Sequence, residues 1–269
     1  MAYEISFMTA NDVAAQIGYR MADWGDGDAA TNAWYAPIET YRERFDALLA
    51  RATGLGFRSI DLWTSHLNPT WATEEHVGIA VDLIAQHRVR VVSLAGWYGA
   101  TADEFAATCR VAVALGRPIL GGQTSAWRRD RAAVLALLEE HDLRLGFENH
   151  PEKSSAEMLA LIGDAPDRVG TTVDTGWYGT QGYDAARAIE ELGSRVLHVH
   201  LKDVRAVGRH DTCRYGDGVV PIEGCVRALA KIGYRGGISI EHEPETYDPT
   251  DEIVANAAML RGWLERVPA

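Results

Sequence analysis

Glu148, Asp174, His200 and Glu241 are the residues of this chain best suited to act together chemically. Three carboxylates and one imidazole form a hard, oxygen-rich donor set, suited to Mn²⁺, Mg²⁺ or Co²⁺ and compatible with Zn²⁺. Without a cation the gathered carboxylates repel one another and rise in pKa, a conflict that a divalent ion removes. Separate salt bridges to Lys and Arg are the plainer reading of the same groups. A second signal is the stretch R-V-L-H-V-H-L-K-D-V from Arg195 to Val204. Period-two alternation puts His198, His200 and Lys202 on one face of a strand and Leu197, Val199 and Leu201 on the other. Lining a closed barrel, that polar face would be a site, with Asp203 at its carboxyl end helping to hold a cation and a hydroxylated or anionic ligand. On an edge strand it would be two satisfied histidines.

Such residues need a scaffold that brings them together. The chain alternates short apolar runs with segments of helical period. Strands are expected to begin near Tyr3, Arg58, Val89, Pro118, Leu143, Val169, Arg195 and Gly237. Helices are expected over 38–53, 74–87, 102–115, 129–140, 155–162, 183–192, 222–232 and 251–266. Thr73 reads as an N-cap, and Thr101 with Glu104 as a capping box. Eight strand-helix units over residues 1–269 predict an α/β fold, a single-domain (β/α)8 TIM barrel. A doubly wound sheet would more often carry a Gly-rich phosphate loop after the first strand, and none follows Met8. In a barrel, chemistry belongs at the carboxyl ends of the strands, which is where the four candidate ligands fall, on the fifth to eighth strands. The long first βα loop, about 10–37, carries Tyr19, Trp24, Trp34 and Tyr35 and reads as a lid or substrate wall rather than a disordered insertion.

Composition narrows the function. A formal charge of −12 argues against nucleic acid as a partner. No apolar run of 18 residues suggests a membrane span, and the N-terminus lacks the basic and apolar regions of a signal peptide. Cys109, Cys213 and Cys225 have no C-x-x-C spacing, so neither a disulfide framework nor a thiolate zinc site is expected, and a reducing cytoplasm fits best.

Five motifs, F-E-N-H at 147–150, V-D-T-G at 173–176, H-V-H-L-K-D at 198–203, G-D-G at 216–218 and G-Y-R-G-G-I-S-I-E at 233–241, resemble the xylose-isomerase-like barrel superfamily. That superfamily includes ketose 3-epimerases, inosose dehydratase and the catalytic subunits of C-glycoside deglycosidases. The resemblance implies that Glu148, Asp174, His200 and Glu241 are the metal ligands, with Mn²⁺ the first choice of ion. It also implies that Glu148 and Glu241 exchange protons on opposite faces of a sugar. The expected activity is a sugar isomerase or epimerase working by proton abstraction next to a carbonyl through a metal-stabilised enediolate. The alternative is a lyase of the same superfamily, dehydrating an inosose or cleaving a 3-keto glycoside. The sequence departs from the pattern at Trp177, where relatives often carry a histidine; Trp177 would be a flat apolar wall for a sugar ring or an attached aromatic group, the latter favouring the lyase, or would simply pack at the barrel rim. The resemblance further implies a homo-oligomer, with or without a small second subunit.

Other residues carry paired readings. His150 is a base candidate or a partner that orients a ligand. Lys202 and Arg205 could bind a ligand oxygen or phosphate, although Lys202 could equally pair with Asp203 or Asp174. His66 with Trp63, and Trp97 with Tyr98, would form the sugar-binding side or simply pack, and Trp24 would approach the sugar from the first loop. His242 and Glu243 are expected at the rim.

Overall fold

A computed structural model describes residues 3–267. Eight strands close a parallel barrel in consecutive order: β1 (Glu4–Met8), β2 (Ser59–Trp63), β3 (Arg90–Ala95), β4 (Ile119–Gly122), β5 (Leu145–Glu148), β6 (Val169–Asp174), β7 (Val196–Leu201) and β8 (Gly237–Ile240). The seam closes where Glu4 to Phe7 pair in register with Gly237 to Ile240. All eight expected strands are present, each within two residues of its anticipated start. Parallel strands need crossovers, and amphipathic helices supply them, burying one face against the barrel.

The helices are α1 (Trp24–Tyr35), α2 (Ile38–Gly54), α3 (Glu74–His87), α4 (Ala102–Ala114), α5 (Ala126–Arg129), α6 (Arg131–Glu140), α7 (Ser155–Ile162), α8 (Thr175–Thr180), α9 (Ala185–Leu192), α10 (Ile222–Lys231) and α11 (Thr250–Leu264). Thr73 and Thr101 both complete capping boxes, the first with His76 and the second with Glu104. The expected helix over 129–140 begins instead at Arg131, because Asp130 turns the chain and accepts the Ala133 N–H. The first βα segment is more ordered than a loop: two short 3-10 turns lead into α1, capped by Asp23, which accepts the Asp26 N–H at 3.0 Å. Helix α1 is fastened to the rim, with Asn68 and Trp71 both donating to Asn32 Oδ1. Among the described residues no helix is long and apolar enough to cross a membrane.

Inward positions of the barrel are unusually polar. Ser6, Asp61, Ser93, Thr172, His198, His200 and Ser239 are all fully buried there, while Val199 and Leu201 join the apolar layer under the helices. Gly121 makes room for them, and Gly122 for the chain after β3. A Cβ on Gly121 would sit 2.5 Å from Ser93 Oγ, and one on Gly122 would drive into the Gly96 carbonyl. At the seam, Asn11 donates to the Ile240 carbonyl at 3.0 Å and accepts the His242 N–H at 2.7 Å, gripping the chain on both sides of Glu241.

Candidate metal centre

A cavity of about 510 Å³ opens at the carboxyl ends of the strands. Glu148 ends β5, Asp174 ends β6, and Glu241 follows β8, and all three line the cavity. His200, inward on β7, lies just beneath. Its Nδ1 is 2.7 Å from Glu148 Oε1 and 3.6 Å from Glu241 Oε2. One donor atom from each of Glu148, His200 and Glu241 falls within 4.8 Å of the others, and the same holds for Glu148, His150 and Asp174.

Several backbone devices hold these groups. Asn149 binds both the N–H of Asp174, at 2.7 Å, and its carbonyl, at 2.9 Å, so the ends of β5 and β6 are clamped together. Gln123 donates to the carbonyls of Glu148 and His150. Asp174 Oδ1 accepts the N–H groups of Gly176 and Trp177 and so caps α8, leaving Oδ2 directed into the site. Lys202 is gripped by Thr175, whose hydroxyl accepts the Lys202 N–H and donates to its carbonyl, each at 2.8 Å.

A single ammonium is shared among three carboxylates. Lys202 Nζ lies 2.6 Å from Glu243 Oε1, 3.2 Å from Glu241 Oε1 and 3.3 Å from Asp174 Oδ2. Burial alone would raise Glu148, but the neighbouring His150 charge and hydrogen bonds from His150 and His200 take it below the usual carboxylate range. Burial pushes Glu241 well above that range, against the opposing pull of Lys202. Burial works to lower His200, yet the charges of Glu241 and Asp61 raise it well above an ordinary imidazole. Among the described residues Asp174 Oδ2, Glu241 Oε2 and Glu243 Oε2 are buried without a hydrogen bond, the first two ion-paired to Lys202 and His200 respectively. Unsatisfied buried oxygens on a hard donor set are what a divalent cation would complete, so these residues fit one.

The remaining expected residues separate into two groups. Trp24, His150, Trp177 and Lys202 line the cavity. Trp177 is wedged between His150, with ring centroids 4.3 Å apart, and His210, stacked on it at 5.4 Å. Its indole N–H donates to the Glu152 carbonyl, which fixes the ring as a wall. His66, Trp97 and Arg205 do not line this cavity. His66 is buried against Tyr35, its Nδ1 near the Trp63 carbonyl and Thr9 Oγ1. Trp97 is half exposed above a separate hollow with Asn68 and Glu104, and Arg205 lines an adjoining one with Arg209, His210 and Tyr247. Asp203 lies away from the candidate ligands: it staples the β7–α10 loop, accepting N–H groups from Val204, Gly216, Gly218 and Val220.

Sequence reasoning missed Asp61, Asn149, Gln123 and His210, and placed Glu243 only at the rim. Asp61 could have been found: it is the lone charged group inside S-I-D-L-W, at the inward phase shared with Ser59 and Trp63. His210 lies in an irregular exposed loop where no periodicity points to the cavity.

Comparison with known proteins agrees with the barrel fold. A family model described as xylose isomerase-like TIM barrel matches residues 12–263. Over 149 residues the chain is 28% identical to the rhizopine catabolism protein MocC of Rhizobium meliloti, covering 48% of this chain and 46% of that protein, so the match spans about half the length of that relative. Among solved structures, an L-ribulose 3-epimerase superposes with a TM-score of 0.68 at 17% identity, covering 98% of this chain and 95% of that one. The IolI protein with a bound zinc atom superposes with a TM-score of 0.68 at 14% identity, covering 99% of each chain. At such identities these structures share the fold.

Proposed function

The chain belongs to the xylose isomerase-like TIM barrel family, and on that premise we propose that it is a divalent-cation-dependent isomerase or epimerase acting on a small sugar, keto sugar or related polyol. The observation that carries the reading is a pair of overlapping donor groups sharing Glu148 at the cavity floor, one with His200 and Glu241 and the other with His150 and Asp174. Glu148, Asp174, His200 and Glu241 would hold the cation, with Mn²⁺ the first choice and Mg²⁺, Co²⁺ or Zn²⁺ alternatives. When bound, the cation supplies Lewis-acid polarisation of a carbonyl and its neighbouring hydroxyl.

The protein's own groups would then move the proton. Glu148 and Glu241 come from β5 and β8, three strands apart round the barrel, so they approach a substrate carbon from different sides. One takes the proton next to the carbonyl, and the other returns it from the opposite side, inverting the centre. His150 would orient Glu148 through its Nδ1, 3.3 Å from Oε2, or relay its proton. Trp24 and Trp177 wall the cavity against water and present flat faces to a ring.

A second reading, a lyase on a keto sugar or 3-keto glycoside, draws on His210. That imidazole is stacked on Trp177 at the rim, away from the ligand cluster, where it could protonate a leaving group. As for setting, three free buried cysteines suit a reducing cytoplasm, and the resemblance of the motifs suggests a homo-oligomer, with or without a small second subunit.

The test is proton NMR in D₂O with Mg²⁺-loaded protein on free ketoses, inososes and 3-keto glycosides, beside cation-free and Glu148→Gln controls. Cation-dependent deuterium uptake with sugar interconversion supports the isomerase. Uptake or substrate loss with release of water or an aglycone supports the lyase. Absence of exchange on all three substrate classes rejects the shared proton-abstraction chemistry for them.

A further inference from the structure

Beneath the proposed cation floor lies a second buried polar layer whose centre is Asp61 on β2. Its Oδ2 accepts from Ser239 Oγ at 2.9 Å and lies within hydrogen-bond distance of two ring nitrogens, His198 Nε2 at 2.7 Å and His200 Nε2 at 2.9 Å. Ser239 is linked in turn to Ser6 at 2.7 Å, so four strands of the barrel, β1, β2, β7 and β8, meet at one carboxylate. The carboxylate, both imidazoles and both hydroxyls are fully buried. A network of this kind persists in a core only when its partners agree on which atom carries each proton.

We propose that Asp61 is a positioning residue for the cation site, locking His200 in the orientation and tautomer that turn a bare Nδ1 toward the cation. This rests on the cation-dependent reading above. An ionised carboxylate only accepts hydrogen bonds, so His200 must present N–H at Nε2. Without a cation Nδ1 also holds a proton, toward Glu148 Oε1; a bound cation would take that proton's place on the side where Glu148 Oε1 and Glu241 Oε2 lie, while the N–H on Nε2 stays with Asp61. Asp61 also places a negative charge behind the ring and makes it a stronger donor to a cation. His198, two residues earlier on the same face, holds the carboxylate from below, its ring edge-on to His200 at 5.4 Å. This gives the strand's inward pair different tasks: His200 reaches the floor, and His198 steadies the group that aims it.

Two measurements test this on the full chain. The first is the ¹⁵N–¹H long-range spectrum of the Mg²⁺-loaded wild type, which identifies the protonated ring nitrogen of His200. The proposal expects Nε2–H with an unprotonated Nδ1, and a proton on Nδ1 instead overturns it. The second is calorimetric Mn²⁺ titration of Asp61→Asn. Loss of an outer carboxylate partner typically lowers metal affinity by about 10- to 100-fold, and that drop is expected here, with His200 a mixture of tautomers. Equal affinity in variant and wild type overturns the proposal. If Asp61→Asn does not fold, the wild-type tautomer decides alone. A wild type that binds neither Mn²⁺ nor Mg²⁺ overturns this proposal and the cation reading together, whereas cation binding without proton exchange on any sugar defeats the proposed reaction and leaves the role of Asp61 standing.

Discussion

His66 should make the fold sensitive to mild acid. Its Nδ1 lies 3.2 Å from the Trp63 carbonyl, while Nε2 is buried with no hydrogen-bond partner among the described residues. A second proton would have to sit on Nε2 with nothing to receive it. Burial therefore lowers the imidazole from 6.5 to about 4, with the Trp63 carbonyl pulling weakly the other way. The sign follows directly: the unfolded chain takes up this proton near pH 6.5 and the folded chain does not, so the stability is present above 6.5 and is lost as pH falls toward 4. The gap corresponds to about 3.4 kcal/mol in full, of which about 1.3 kcal/mol is lost between about pH 7.5 and about pH 5.5. Urea unfolding of wild type and His66→Asn at those two pH values isolates the contribution, because Asn can still donate to the Trp63 carbonyl but does not titrate. The variant is expected to be less stable at the higher pH and to lose about 1.3 kcal/mol less on acidification. Equal losses in the two proteins would refute the reasoning, since His66 would then titrate freely inside the fold.

Four further outcomes are expected. Glu241→Gln removes an anionic donor from the cavity floor and should weaken Mn²⁺ binding by more than the about 10- to 100-fold typical of an outer partner, and calorimetry showing wild-type affinity would take Glu241 out of the set. Trp177→Ala strips a wall from the cavity; at about 0.5–1.5 kcal/mol for an aromatic contact, KM on the active sugar should rise about two- to tenfold with kcat nearly unchanged, and a fall confined to kcat would contradict a wall. Asn149→Ala leaves the buried N–H and carbonyl of Asp174 unpaired, which should lower unfolding free energy by about 1–3 kcal/mol and weaken cation binding, both measurable on one preparation. Gly122→Ala forces a methyl into the Gly96 backbone and toward Tyr98 Oη; overpacking of this kind should destabilise by about 1–3 kcal/mol, and an unchanged urea midpoint would mean that β4 and the turn after β3 separate easily.

The barrel was legible because its signals are local and repeated. Every strand carries a short apolar run and most crossovers a helical period, so the count of eight survives errors at individual boundaries. Helix α1 was not legible: W-G-D-G-D places two glycines in its first turn and reads as a turn by propensity, and tertiary contacts from Asn68 and Trp71 hold it helical. That Glu148, Asp174, His200 and Glu241 stand at the carboxyl ends of neighbouring strands could be anticipated once strand order was assumed, since consecutive strands fix their neighbours. Asp61 could not be tied to its partners in the same way, because His198 and His200 are 137 and 139 residues distant and lie across the barrel rather than beside it. The burial of His66, next to a tryptophan that does reach the cavity, was equally invisible, for the short 3-10 turn after β2 rotates it into the wall.

The grip of Asn11 on the backbone either side of Glu241 has a consequence for the order in which this chain assembles. The two hydrogen bonds join residues separated by 229 and 231 positions, so the loop entropy of nearly the whole chain is spent before they form. Glu148, Asp174 and His200 can draw together in a partly folded barrel, but Glu241 is held in place only when the first and last strands meet. A cation that needs all four would bind the closed ring and not its open precursors. It would act as a latch on the seam, slowing the opening of the ends, so cation affinity would report ring closure during refolding.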